Sequence, residues 1–302
     1  MSIADSTQPV IIGEVLFDCF PDGTAVLGGA PFNVAWHLQG FGLSPLMISG
    51  VGNDDHGKMV LENMREWGMD TRGIQMDEQH PTGQVTVSLE AGQPSYDIRA
   101  EQAYDFIDAD RVIEVLDNKD YSLVYHGSLL IRTSRSREML DKVLETTVLP
   151  TFVDVNLRAP WWQRDDVRQS LSQASWVKLN EDELLTIMEV ESDSTTGLFK
   201  YAKEMLQQFG LQLLIVTQGD QGAFCVTHDD MISGAPVAAN VLDTVGAGDA
   251  FASVSILGLT HGWSLATILE RALEFAAAIC ERRGATTMDQ VLYNKYIKEW
   301  SL

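Results

Sequence analysis

Short apolar runs that alternate with helical patterns constrain this chain more than any other feature. Val10-Ile11-Ile12, Leu46-Met47-Ile48, Leu123-Val124-Tyr125, Phe152-Val153-Asp154-Val155, Trp176-Val177-Lys178-Leu179 and Leu213-Leu214-Ile215-Val216 read as strands buried on both faces. Amphipathic segments lie between most of them, as at 57–67 and 198–209. Alternation of this kind predicts an α/β fold: a central, mostly parallel sheet between two helical layers, with ligands collecting at the carboxyl ends of the strands. No internal repeat, low-complexity tract or Pro/Gly-rich linker divides the 302 residues, so one domain over 1–302 is expected.

Two pieces break the rhythm. Glu14 to Phe20 and Thr24 to Leu27 flank the turn Pro21-Asp22-Gly23, and Gly83 to Glu90 and Ser95 to Arg99 flank Ala91-Gly92-Gln93-Pro94. These segments, about 14–27 and 83–99, are expected to form a small separate sheet.

Two glycine-bracketed loops, far apart in the chain, carry the chemistry. Asp243-Thr244-Val245-Gly246-Ala247-Gly248-Asp249 runs straight into an apolar, helix-like stretch ending near Gly258. Small residues there expose backbone N–H groups at a helix N-terminus, where the dipole favours an anion, and Asp249 stands beside them to take a proton from a hydroxyl. Taken alone, the same residues also read as a tight turn with a helix-capping Asp. The second loop, Gly28-Gly29-Ala30-Pro31-Phe32-Asn33-Val34-Ala35, leads into a helical pattern through Trp36, Leu38 and Phe41. Two such loops imply two ligands. A GxxxxGK[ST] loop is absent, and Gly246-Ala247-Gly248 does not complete a dinucleotide GxGxxG fingerprint.

A formal net charge of −22 argues against nucleic-acid and anionic-membrane partners, both of which need a basic face. It also repels an anionic ligand, and that favours a bound metal ion. Cys19, Cys225 and Cys280 form neither a CxxC nor a His-accompanied set, which fits a reducing cytoplasm. No stretch approaches the roughly 20 apolar residues of a membrane span, and no basic leader precedes the first apolar run. The expectation is a soluble, unexported protein.

Both loops together resemble the two signatures of the ribokinase-like sugar kinases, the PfkB family: a GG..N segment and a DT.GAGD segment. The likeness continues in the family's order through Gly13-Glu14 with Asp18, Val51-Gly52-Asn53-Asp54, Asp154-Val155-Asn156-Leu157-Arg158, Asn180-Glu181-Asp182-Glu183, Thr217-Gln218-Gly219-Asp220-Gln221-Gly222 and Gly284-Ala285. The resemblance implies a ribokinase-like fold in which the small sheet is a lid over a sugar, with ATP and Mg²⁺ as cofactors. It implies Asp249 as catalytic base, Gly246, Ala247 and Gly248 as the anion hole, and Asp18, Gly28, Gly29 and Asn33 as the sugar-binding set. Arg99, with Tyr96 and Ile98, would sit above the sugar, and Arg158 would contact sugar or phosphate.

Asn180, Thr217, Gly219, Gly222 and Gly248 would face the nucleotide, and Glu183 would organise Mg²⁺ waters. Asn180 is equally a good helix N-cap, and the Thr217 loop equally a hairpin turn. Asp243 and the Val245 carbonyl would hold a monovalent cation such as K⁺, although Thr286-Thr287-Met288 departs from the usual ending of that site. Within the family, the Gly-Gly-Ala-Pro-Phe-Asn-Val-Ala and Asp-Val-Asn-Leu-Arg segments look most like the fructokinase branch. Ribokinase, 2-keto-3-deoxygluconate kinase and a non-catalytic sugar or nucleotide sensor are the rival readings. The lid's open edge also suggests a homodimer. His126, Trp161 and Trp162 are assigned to packing.

Overall fold

The computed structural model describes residues 8–90, 93–117, 119–191 and 195–302. Its strands, in chain order, are β1 (Val10–Ile12), β2 (Leu16–Cys19), β3 (Ala25–Gly28), β4 (Leu46–Gly52), β5 (Ile74–Asp77), β6 (Gly83–Glu90), β7 (Gln93–Ile98), β8 (Val124–Gly127), β9 (Thr151–Asp154), β10 (Trp176–Asn180), β11 (Leu213–Thr217), β12 (Ala223–Val226) and β13 (Met231–Gly234). The helices are α1 (Ala30–Gly40), α2 (Asp55–Glu66), α3 (Ala109–Leu116), α4 (Ser134–Thr147), α5 (Arg164–Gln173), α6 (Glu181–Met188), α7 (Thr195–Phe209), α8 (Ala247–Thr260), α9 (Leu265–Cys280) and α10 (Gln290–Trp300).

Among the described residues, nine strands form one sheet in the order β13-β12-β11-β10-β9-β8-β1-β4-β5. From β11 to β5 every pairing is parallel, and only β12 and β13 return antiparallel at one edge. The expected mostly parallel sheet is therefore present. Strand β5 was not anticipated, because Ile-Gln-Met-Asp offers too little apolar length to be told from a loop.

Strand parity explains how the apolar runs make two core layers. Ile11, Tyr125, Phe152, Trp176 and Ile215 point to one face, where they pack with α1, α8, α9 and α10. Their neighbours Val153, Val177 and Leu214 point to the other face against α5 and α7, and Val10, Ile12 and Val124 do so against α3 and α4. Each fully buried side chain of this size contributes roughly 1.5–3 kcal/mol by leaving water, enough in sum to offset chain ordering. Asp154 and Lys178 share the parity of Phe152 and Trp176, so two charges enter the layer that carries α1 and α8. That single fact positions the site.

The two exceptional segments form the expected second sheet, in the order β3-β2-β6-β7. Each hairpin is antiparallel within itself, and the two join through a parallel β2–β6 pairing that sets Leu16 opposite Gly83. The turn at Ala91-Gly92 and the Tyr96 side chain lie outside the described residues. Among the described residues no helix is long and apolar enough to cross a membrane.

Candidate active site

The two glycine loops, 216 residues apart in the chain, meet in space through one hydrogen bond. Asn33 lies in the first turn of α1 and Asp249 in the first turn of α8, and Asn33 Nδ2 donates to Asp249 Oδ2 at 2.8 Å. Each helix begins on a glycine that only a glycine serves well. Gly29 precedes α1 at φ +108°, and a Cβ there would stand 2.6 Å from the Glu14 carbonyl oxygen. Gly246 caps α8 at φ +80°, and a Cβ there would stand 2.5 Å from Ala285 Cα. The consequence is a crook in which two helix N-termini, with their unsatisfied N–H groups, flank one carboxylate.

Asp249 keeps a strip of solvent contact, yet the protein packed around its carboxylate pushes its pKa up to about 6. Burial is the main cause, the Asn33 bond pulls the other way, the charge of Asp154 adds to the rise, and Lys178 and Arg158 reduce it. A carboxylate with these properties is ionised near neutral pH and close to accepting a proton.

Beneath it sits a buried ion pair that the motif reading passes over. Lys178 Nζ donates to both oxygens of Asp154, at 2.8 and 2.9 Å, and Tyr125 Oη donates to Asp154 Oδ2 at 3.4 Å. Burial opposes the lysine's charge, but Asp154, with Glu183 and Asp249, outweighs it and raises the Lys178 pKa. Its Nζ lies 3.5 Å from where a Cβ on Gly248 would be, so the ammonium faces the anion loop directly. The available signal was a lone lysine inside the otherwise apolar run Trp-Val-Lys-Leu. Glu14, quoted in the Gly13-Glu14 segment but given no role there, is buried, and burial above all pushes its pKa up to about 7.

The remaining expected residues fall in three places. On β2, half-buried Asp18 has a carboxyl pKa raised by burial and lowered by Arg158, which is itself exposed. Arg158 also acts on Glu14 and Asp249, so the structure brings the arginine and all three acids into one field. Arg99, at the end of β7, is exposed and donates to Thr86 Oγ1 at 3.4 Å, while its carbonyl accepts from Arg132 Nη2 at 2.9 Å. Gly28 ends β3 with its open side toward Asn33 Oδ1.

Asn180 ends β10 and Thr217 ends β11, directly opposite one another in register. Asn180 is the N-cap of α6, in a capping box with Glu183. The Glu183 oxygens accept from Asn180 N at 2.9 Å and Leu157 N at 2.8 Å, which ties α6 to the loop before Arg158. Gly219 and Gly222 take positive φ in the turn between β11 and β12, and a Cβ on Gly222 would strike the Gly234 carbonyl. Asp243 accepts from Val245 N and Gly284 N, both at 3.0 Å, and so pins the anion loop to the segment that supports Gly246.

Among the described residues, no group of three or more His, Cys, Asp or Glu side chains could hold a metal ion directly. Both Asp154 oxygens face Lys178, and both Glu183 oxygens are engaged by amides. This donor set fits Mg²⁺ only in its usual manner, held mainly by phosphates and waters with a carboxylate at one remove.

A family profile described as pfkB family carbohydrate kinase matches residues 20–291. An uncharacterized sugar kinase of Pyrococcus horikoshii, solved in complex with ATP, is 28% identical, with a TM-score of 0.78 over 96% of this chain and 99% of that one. Fructokinase-2 of Oryza sativa subsp. japonica is 25% identical over 93% of this chain and 90% of its own. A fructokinase of Xylella fastidiosa, solved with bound ATP, superposes with a TM-score of 0.83 over 98% of this chain and 100% of that one, at 21% identity.

Proposed function

The chain belongs to the pfkB family of carbohydrate kinases, a phosphotransferase family with hydroxyl acceptors, and on that premise we propose that it transfers the γ-phosphoryl group of ATP to a hydroxyl of D-fructose. The observation that carries the proposal is the Asn33–Asp249 bond, which sets an ionisable carboxylate where the two helix N-termini converge. Asp249 accepts the proton of the attacking hydroxyl, and the amides of Gly246, Ala247 and Gly248 receive the developing negative charge. Phosphoryl transfer asks little covalent chemistry of a protein, so holding the two substrates in line supplies most of the rate.

Asn33 orients Asp249, and the ammonium end of the Lys178–Asp154 pair faces Gly248. Asp18, Gly28, Gly29, Asn33, Arg99 and Arg158 hold the sugar, and the sheet of β3-β2-β6-β7 closes over it as a lid. ATP as donor draws support from the ATP-bound Pyrococcus relative, with Asn180, Thr217, Gly219 and Gly222 toward the nucleotide. Glu183 would hold waters of a nucleotide-bound Mg²⁺, which would neutralise phosphate charge. Asp243 and the Val245 carbonyl remain the proposed site of a monovalent cation. The fructose assignment rests on the rice relative together with the Gly-Gly-Ala-Pro-Phe-Asn segment.

ADP release measured with fructose, ribose, tagatose, 2-keto-3-deoxygluconate and adenosine tests the reading. Fructose should give the highest kcat/KM, and turnover of adenosine alone would overturn it. Asp249→Asn should lower kcat by roughly 10²–10⁴-fold, the range of a general base. In the wild type, kcat should rise as pH rises through about 6, because Asp249 works only after losing its proton, and the variant should lose that limb. Equal activity of the two proteins would point to a sensor or a contaminating kinase.

A further inference from the structure

Two buried acceptor atoms around the glycine pair have no partner among the described residues. Asn33 gives its amide to Asp249, but its Oδ1 is buried and unbonded, and Glu14 Oε2 is likewise buried and unbonded. Glu14 is 4% exposed and Asn33 5% exposed, so water does not satisfy them from outside. A buried polar atom left unpaired costs about 1–3 kcal/mol, and such atoms in folded proteins have a reason to persist. Both border the glycines. A Cβ on Gly28 would lie 3.9 Å from Asn33 Oδ1, and a Cβ on Gly29 would lie 3.4 Å from Glu14 Cγ. The absent side chains of the two glycines leave room beside Asn33 Oδ1 and Glu14 Cγ.

Resting on the kinase reading above, we propose that Glu14 is a sugar-recognising residue, whose free oxygen pairs with Asn33 Oδ1 to accept hydroxyl protons from a neutral polyol. Two acceptors without donors call for a ligand that brings donors. Sugar hydroxyls do so, whereas a carboxylate or phosphate brings only further acceptors and meets Glu14 and Asp249 as like charges. The arrangement selects neutral sugars over sugar acids and sugar phosphates at this end of the cleft. Behind Glu14, the Arg132 guanidinium is locked on Asp105 and lies 4.9 Å from the Tyr104 ring centre and 4.7 Å from that of Trp161. Arg132 Nη1 and Tyr104 Oη are themselves buried without a partner among the described residues, and the Arg132 charge favours the ionised form of Glu14.

Glu14→Gln keeps the shape and removes the carboxylate. Steady-state kinetics on the full chain at about pH 8, above the Glu14 pKa of about 7, should show the KM for fructose raised roughly ten- to a hundredfold, the loss of one charged hydrogen bond, with the KM for ATP and the unfolding midpoint little changed. The preference for fructose over 2-keto-3-deoxygluconate should narrow at the same time. Calorimetric titration with fructose alone should show the same weakening without any turnover. If Glu14→Gln fails to fold, Glu14→Asp, which withdraws the oxygen by one methylene, supplies the same readings. An unchanged fructose KM, or equal rises in the KM values for fructose and ATP, overturns the role of Glu14 alone. Failure of the wild type to phosphorylate any sugar of the panel overturns the kinase reading, and this proposal with it.

Discussion

Replacing Lys178 by Met separates what the buried ion pair does for stability from what it does for the reaction. Lys178 offers both Asp154 oxygens a bond within 2.9 Å, and the two side chains are only 8% and 3% exposed. Lys178→Met therefore leaves a carboxylate in the core with only the 3.4 Å Tyr125 hydroxyl for company. Removing one partner of such a pair costs about 3–5 kcal/mol, far above the loss from an exposed pair. For 302 residues, at roughly 2.1 cal/mol/K each, the unfolding entropy near Tm is about 0.6 kcal/mol/K, so Tm should fall by about 5–8 °C.

The double variant Lys178→Met with Asp154→Leu removes the stranded charge and should recover most of that loss, because an apolar pair of similar volume is often neutral or better. Activity should not return with it, since the ammonium that faces Gly248 is still missing. Calorimetric melts and ADP release on the same three proteins measure both effects. A single variant that melts within about 1 °C of wild type would refute the electrostatic reasoning, and a stable double variant with full kcat would refute a catalytic part for the lysine.

Other predictions follow from glycine geometry and from Glu14. Gly246→Ala should cost several kcal/mol and most activity, because φ is +80° and the new Cβ would meet Ala285 Cα at 2.5 Å. Gly23→Ala shares a positive φ of +88° with nothing within 4 Å, so denaturant melts should show a loss of only about 1 kcal/mol. Glu14 binds its proton more tightly folded than unfolded, its pKa rising from 4.5 to about 7. Its contribution is complete below about pH 4.5 and fades as pH rises through 7. The linked stability is about 3 kcal/mol. Urea melts in an Asp249→Asn background, which silences the parallel effect of Asp249, should lose that slope on Glu14→Gln. A slope that persists unchanged would exclude Glu14 as its source.

Residue order by itself determined the architecture and the two loops. Runs such as Val10-Ile11-Ile12 and Leu213 to Val216 were legible as buried strands because a sheet covered on both faces accepts apolar side chains at every position. Gly246 and Gly29 were legible because a helix start at positive φ excludes most other residues. The second sheet was legible as two hairpins, while its parallel β2–β6 seam was not, since no local turn dictates which strands of different hairpins meet. The site was legible only where it coincided with a motif.

Lys178 and Asp154 appear as isolated charges in separate strands 24 residues apart. Only the β9–β10 register, with Lys178 opposite Asp154, shows that they neutralise one another under Gly248. Glu14 is of the same kind: its identity is written in the chain, but its burial, its free oxygen and its place behind Gly29 exist only once β2 and α1 have packed. Backbone conformation is largely a local property and leaves its mark on neighbouring residues. The charge state and pairing of a side chain depend on everything that surrounds it, and the tertiary structure decides that.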